Sequence, residues 1–258
     1  MRVNHLFGEF LGTFILSFIG CSAVALAVLF EIFSSIVPIA FIWGGGVTLA
    51  IYSTKKYSKA HLNPAVSFGF FINKDITAKD LVSYWFSQLL GGVFAGLGVY
   101  FCFIDEIEHF ELIHNIIPSD ISGAYTASIF GEFFPNPGYK DSIHNVSEFY
   151  ACLYEFTGTF FLMTSILWFS KAKKLRKFSP LLIGLVVAIL IVWIAPFTQC
   201  GINPARDFGP RLVAYFLHWD SGAFPKGRFS FLTVYIISPL VGAWFSIILF
   251  KSLTKITS

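Results

Sequence analysis

Two copies of one tripeptide carry the chemistry this sequence offers. Asn63-Pro64-Ala65 and Asn203-Pro204-Ala205 lie 140 positions apart. Asn is a strong helix N-cap, and Pro at the first helical position gives up only an N–H that has no partner there. Each tripeptide therefore predicts a helix start. Each also follows a hydrophobic stretch too long for a soluble domain. A helix that starts at membrane depth points its positive end at whatever lies there. Two such ends facing across a passage would repel cations, hydronium included. Each Asn side chain would hold a helix start with one atom and donate from the other to a passing oxygen. The chain before each start carries Ala60, His61 and Leu62 in one case, Gly201 and Ile202 in the other. It must be non-helical, and irregular backbone at membrane depth is tolerated where it lines a water-filled cavity. Two loops that merely brace a helix bundle are the competing reading, which does not require paired Asn caps.

Arg206 directly follows the second tripeptide. An arginine inside a membrane costs at least about 2.5–3.5 kcal/mol, so one retained there is functional by default. It would face water and repel cations; pairing with a lipid phosphate at the interface is the bland alternative. Glu9 and Glu155 sit in matching stretches, G-E-F-L-G-T-F-I-L at Gly8–Leu16 and Y-E-F-T-G-T-F-F-L at Tyr154–Leu162. A carboxylate inside a span needs internal partners, and a structural role is favoured over a proton relay. Asp207 can pair with Arg211 at i+4. A lone histidine such as His61 is more often packed than a sensor.

The elements that must position these groups follow from hydropathy. The 258 residues are 55% hydrophobic and 13% charged, with 32 Phe. Soluble domains carry about 25% charged residues, so this is an integral membrane protein. The net charge of +3 gives no sign of nucleic-acid binding. No cofactor motif, phosphate loop, metal-ligand pattern or catalytic triad is legible, so no enzyme is expected. The four Cys show no C-x-x-C, and the first apolar span is too long for a signal peptide. A spanning helix takes about 20 apolar residues. Six are predicted: Leu6–Phe30, Ile36–Thr54, Leu81–Ile104, Glu148–Ser170, Pro180–Phe197 and Phe231–Lys251. Short re-entrant helices follow the second and the fifth. The polar, acidic segment Asp105–Ser147 reads as an extracellular loop joining two repeats, about 1–122 and 145–258, within one membrane domain covering 1–258. Three spans per repeat force the repeats to be inverted. An even span count puts both termini on one side, and that side holds 13 of the 18 Lys and Arg. The positive-inside rule makes it the cytoplasm.

The paired tripeptides in matched halves resemble those of the major intrinsic proteins, the aquaporins and aquaglyceroporins, and the resemblance covers nearly the whole chain. It implies an all-α membrane fold of six transmembrane helices and two half-helices, a passive pore in each chain, and a homotetramer embedded in lipid. It implies that Arg206 is a selectivity arginine, with Trp43, Ile191 and Cys200 as further walls of an outer constriction. It implies that Glu9 and Glu155 accept backbone N–H groups of the re-entrant loops. Water-selective members have Phe and His where this chain has Trp43 and Ile191. Trp with an aliphatic residue is similar to glycerol facilitators and to plant nodulin-like intrinsic proteins; Asp207, Arg211, Pro239-Leu240 and the loop Asp220–Ser230 resemble the glycerol-conducting subgroup. The expected permeants are glycerol and other small neutral solutes, with water; urea, boric acid and arsenous acid stay open, as does a structural protein of low conductance. Trp43 as an interfacial belt residue is the bland reading of that position. Ser58-Lys59-Ala60-His61 departs from the family's Ser-Gly-Ala/Gly-His. Lys59 either snorkels to water or narrows the inner mouth. Asn145-Val146-Ser147 is a sequon close to the fourth span.

Overall fold

Capping chemistry sets the helix boundaries in this computed structural model, which describes residues 3–139, 145–225 and 228–256. Helix α1 is Val3–Phe30 and α2 is Ile36–Thr54. Pro38 lies in the first turn of α2, where an N–H would have no intrahelical acceptor. The short α3, Pro64–Ile72, starts at Asn63. A capping box between Thr77 and Asp80 opens α4, Ala78–Ile113. Ser147 caps α5, Glu148–Lys171. Helix α6 is Ser179–Thr198 and ends at Gln199 in the left-handed conformation. The second short helix, α7, is Pro204–Ala214, and α8 is Ser238–Ile256. A helical turn at Arg228–Phe231 and a wider π-helical turn at Leu232–Ile237 lead into α8. Six helices among the described residues are long and apolar enough to cross a membrane. Of the charges counted for orientation, Arg2, Lys140 and Lys226 fall outside the described residues.

The polarity of these helices is inside out. Helix α1 buries Gly8, Gly12, Leu16 and Gly20 on one row and Glu9, Thr13, Ser17 and Cys21 on the next. Both rows repeat every fourth residue, so they share one face. Phe86, Phe94, Phe101, Phe149 and Phe161 instead point outward. Small residues let backbones approach closely where water offers no driving force, and the outward aromatics suit lipid.

Packing repeats with the sequence. Helix α1 packs against α2 and α4, and α5 packs against α6 and α8. Helices α2 and α6 meet each other. Each short helix crosses over: α3 lies against α8, and α7 against α4. The halves are therefore interlocked.

One expectation needs correction. The segment Asp105–Ser147 is not simply a polar loop. Helix α4 runs on to Ile113 because Ile107, Phe110 and Glu111 continue a buried stripe after the apolar composition ends. Glu111 ties this extension down, accepting from Thr126 Oγ1 at 2.5 Å and Trp219 Nε1 at 3.2 Å and facing His218 Nε2 at 2.7 Å. Residues 126–134 are then buried without interruption.

Candidate functional site

The two short helices begin head to head. Asn63 Oδ1 accepts from Ala65 N at 2.8 Å. Asn203 Oδ1 accepts from Ala205 N at 3.1 Å and Arg206 N at 3.3 Å. The amide nitrogens reach across to the other half. Asn63 Nδ2 donates to the Ile202 carbonyl and Asn203 Nδ2 to the Leu62 carbonyl, both at 2.9 Å. Each amide carries a second N–H, and both asparagines line the cavity described below.

The approach to each helix is unusual backbone. Ala60 and Leu62 have φ of 50° and 54°; Cys200 and Ile202 have φ of 68° and 41°. Non-glycine residues in this left-handed region cost about 1–2 kcal/mol each. Two carboxylates hold them there. Glu9 accepts from His61 N at 3.1 Å and Leu62 N at 2.8 Å. Glu155 accepts from Gly201 N at 2.9 Å and Ile202 N at 2.6 Å. The remaining valences differ. Gln88 Nε2 donates to Glu9 at 2.8 Å and to Ser67 Oγ at 2.9 Å, whereas Thr198 Oγ1 donates to Glu155 at 2.7 Å. Neither Gln88 nor Thr198 is visible from the repeat.

Two cavities, of about 360 and 410 Å³, run through the chain. Trp43, Ile191 and Arg206 line both, so these three side chains form the partition between them. The first cavity holds Asn63, Asn203, Ala60, His61, Leu62, Gly201 and Ile202. Cys200 lines this first cavity as well. The Trp43 ring seats against Gly20, where a Cβ would come within 2.2 Å of ring carbons. The Arg206 guanidinium lies 4.0 Å from the centroid of that ring. His61 Nδ1 is 3.1 Å from Ser67 Oγ, and its ring stacks on Phe70. Its Nε2 is buried with no partner among the described residues.

Arg206 does not stand as a bare charge. It is ion-paired with Glu132, and the two side chains are 6% and 5% exposed. Glu132 lines the second cavity beside Arg206. Asp207 and Arg211 hold the Glu132 segment in place. Arg211 grips Asp207 with two bonds, Nη2 to Oδ1 at 2.7 Å and Nε to Oδ2 at 3.2 Å. Arg211 also donates to the Glu132 carbonyl at 2.6 Å and the Ala223 carbonyl at 2.5 Å, and Glu132 N donates to Asp207 Oδ1 at 2.7 Å. A fully buried ion pair is tolerated when further hydrogen bonds satisfy both partners, and for Asp207–Arg211 the Glu132 N–H and the Glu132 and Ala223 carbonyls supply them. Glu132 was hidden because its neighbourhood reads as polar loop. The apolar flanks Ile129, Phe130, Phe133 and Phe134 were the signal that this segment turns inward.

Comparison with known proteins agrees with this architecture. The family model described as major intrinsic protein matches residues 2–250. The glycerol uptake facilitator protein of Haemophilus influenzae is 33% identical over 240 residues, covering 92% of this chain and 88% of that protein. The protein of that name from Pseudomonas aeruginosa is 34% identical over 239 residues, covering 91% and 83%. The crystal structure of the aquaglyceroporin from Plasmodium falciparum superposes with a TM-score of 0.78 at 25% identity, covering 96% of this chain and 95% of that one. With its interlocked halves and paired helix starts, this multi-pass membrane chain belongs to the major intrinsic protein family.

Proposed function

We propose that the chain is a passive pore for glycerol and similar small neutral solutes, with water, in which Trp43, Ile191 and Arg206 form the selectivity filter. The observation that carries this is the partition: among the described residues, two apolar walls and one guanidinium are the side chains common to both cavities. A polyol has carbons on one face and hydroxyls on the other, and such an opening matches both. Cys200 borders the filter from the first cavity. Asn63 and Asn203 offer N–H groups past the filter, and the Leu62 and Ile202 carbonyls brace those amides. Pro64, Ala65, Pro204 and Ala205 begin the helices whose positive ends repel cations. The names of the relatives point to the same solute class.

The first cavity opens to the cytoplasm in this reading, because its rim carries Lys55, Lys59, Arg176 and Lys177, and positive charge marks the cytoplasmic side. Both termini then lie in the cytoplasm. The assembly in lipid is a homotetramer with one pore per chain, as the family resemblance implies, and the chain forms one domain of two inverted repeats.

Purified protein in lipid vesicles tests the reading. Glycerol flux after an osmotic step should be fast, non-saturating and indifferent to proton or sodium gradients. Flux that saturates and follows an ion gradient would make the chain a coupled transporter instead; no flux above protein-free vesicles would leave a structural role.

A further inference from the structure

The first cavity has a feature that passage of neutral solutes does not need. Its wall includes Lys55, Lys59, Arg176 and Lys177, together with the hydroxyl-bearing Ser170 and Ser179, and among the described residues no Asp or Glu. The second cavity's described wall is balanced instead, with one carboxylate, Glu132, set against one guanidinium, Arg206. The positive-inside rule explains why cations lie on this side. It does not explain their gathering around one concavity with no carboxylate in its wall. Among the described residues none of the four is in an ion pair. Lys59 Nζ donates to the Asp75 carbonyl at 2.9 Å and Arg176 Nε to the Ser170 carbonyl at 3.1 Å, which fixes both side chains at the rim. Lys55 lies over the Tyr52 ring at 4.4 Å. Deeper in the same cavity, the buried His61 Nε2 has no partner among the described residues.

We propose that this mouth is a binding site for a small phosphate monoester, whose occupancy plugs the pore from the cytoplasm. Four cations and two hydroxyls around one opening suit a dianionic tetrahedral oxyanion: lysines as point charges, arginine as a fork. The cavity volume, about 360 Å³, lies in the range of small-molecule sites. Beyond the rim, the track of amides and carbonyls suits an uncharged polyol body. A phosphorylated polyol would lay its body along that track and leave its head among the cations. The head cannot follow, since a dianion would have to shed its water to pass the apolar walls of Trp43 and Ile191. The proposal rests on the pore reading above.

The test uses protein in phosphatidylcholine vesicles, with glycerol 3-phosphate on both sides and ionic strength matched by chloride. Water flux is read as well as glycerol flux, so a protein that failed to conduct glycerol would still report the plug. The variant is Lys55→Gln with Lys177→Gln, which leaves the backbone contacts of Lys59 and Arg176 intact. Each flux is expressed relative to the same protein without the ester. The expected result is inhibition at about millimolar ester, with the half-inhibiting concentration raised about tenfold in the variant, as for two partly solvated charge pairs. Broadening of the ester's phosphorus resonance by detergent-solubilised protein, weaker with the variant, is the matching direct readout. A second arm replaces the ester with phosphatidic acid in the vesicle. Flux reduced only there, and restored by the variant, assigns the site to a lipid headgroup rather than a solute. Absence of inhibition and of broadening in every arm overturns the proposal, as does equal inhibition of parent and variant.

Discussion

Replacing Ile191 with His puts the selectivity reading at greatest risk. Ile191 is 3% exposed and shares the partition with Trp43, whose ring packs against Arg206. A three-carbon polyol entering there turns roughly 50 Å² of C–H surface onto these walls. At about 25 cal/mol per Å² that contact recovers about 1.2 kcal/mol of lost hydration. An imidazole that holds its own water returns little of it, which slows glycerol passage roughly eightfold. The ring also narrows the opening, in the same direction. Water has no C–H face and loses none of this term. The glycerol-to-water permeability ratio should therefore fall by about eightfold or more, and further when Trp43→Phe is added. Stopped-flow light scattering on reconstituted vesicles measures both permeabilities in one preparation. If the ratio stays within about twofold of the parent value, a barrier change below about 0.4 kcal/mol, while the variant remains monodisperse, then Ile191 is not part of the filter and the glycerol assignment loses its main support.

Three further outcomes are expected. Arg206→Ala leaves the Glu132 carboxylate unpaired beside the partition, so cation and proton leak should rise in vesicles under a pH gradient while solute flux persists. Adding Glu132→Gln should lower the cation leak again, and a single variant with unchanged leak would place Arg206 off the conduction path. Cys200 lines the first cavity, so a mercurial should block flux and Cys200→Ser should abolish the block; persistent inhibition would assign it to another thiol. Glu155→Gln sets an NH₂ group against the N–H of Gly201 or Ile202, at about 1–3 kcal/mol for each buried donor left unpaired. The unfolding midpoint in detergent and the glycerol flux should both fall, and a protein unaffected in both would refute the anchoring role.

The parts of the site that were legible are those written in local chemistry. Asn before Pro marks a helix start wherever it stands, and a Glu inside an apolar span announces a need for donors. The spans were legible for the same reason, since a bilayer sets a length that composition must fill. What hydropathy could not show is where amphipathic order carries a helix beyond the apolar stretch, as at Ile107, Phe110 and Glu111. Nor could it show Glu132. Its pairing with Arg206 depends on the bonds that Asp207 and Arg211 make to the Glu132 backbone, 75 and 79 positions away, which leave no periodic trace in the sequence. The first expectation for Arg206, a free positive charge, therefore lacked its counterion.

The crossed asparagine bonds also impose an order in time. Glu9 places Leu62 on its own half, yet the Leu62 carbonyl and the Asn63 amide nitrogen both wait for residues beyond 200. Until those residues arrive, the first loop holds an unclaimed carbonyl and an unclaimed amide at membrane depth, where each is costly. A chain emerging from its amino end makes the six helices α1–α6 before the residues that complete the passage arrive. The centre of the pathway thus exists only once both halves do. It comes into being when two loops made 140 residues apart meet.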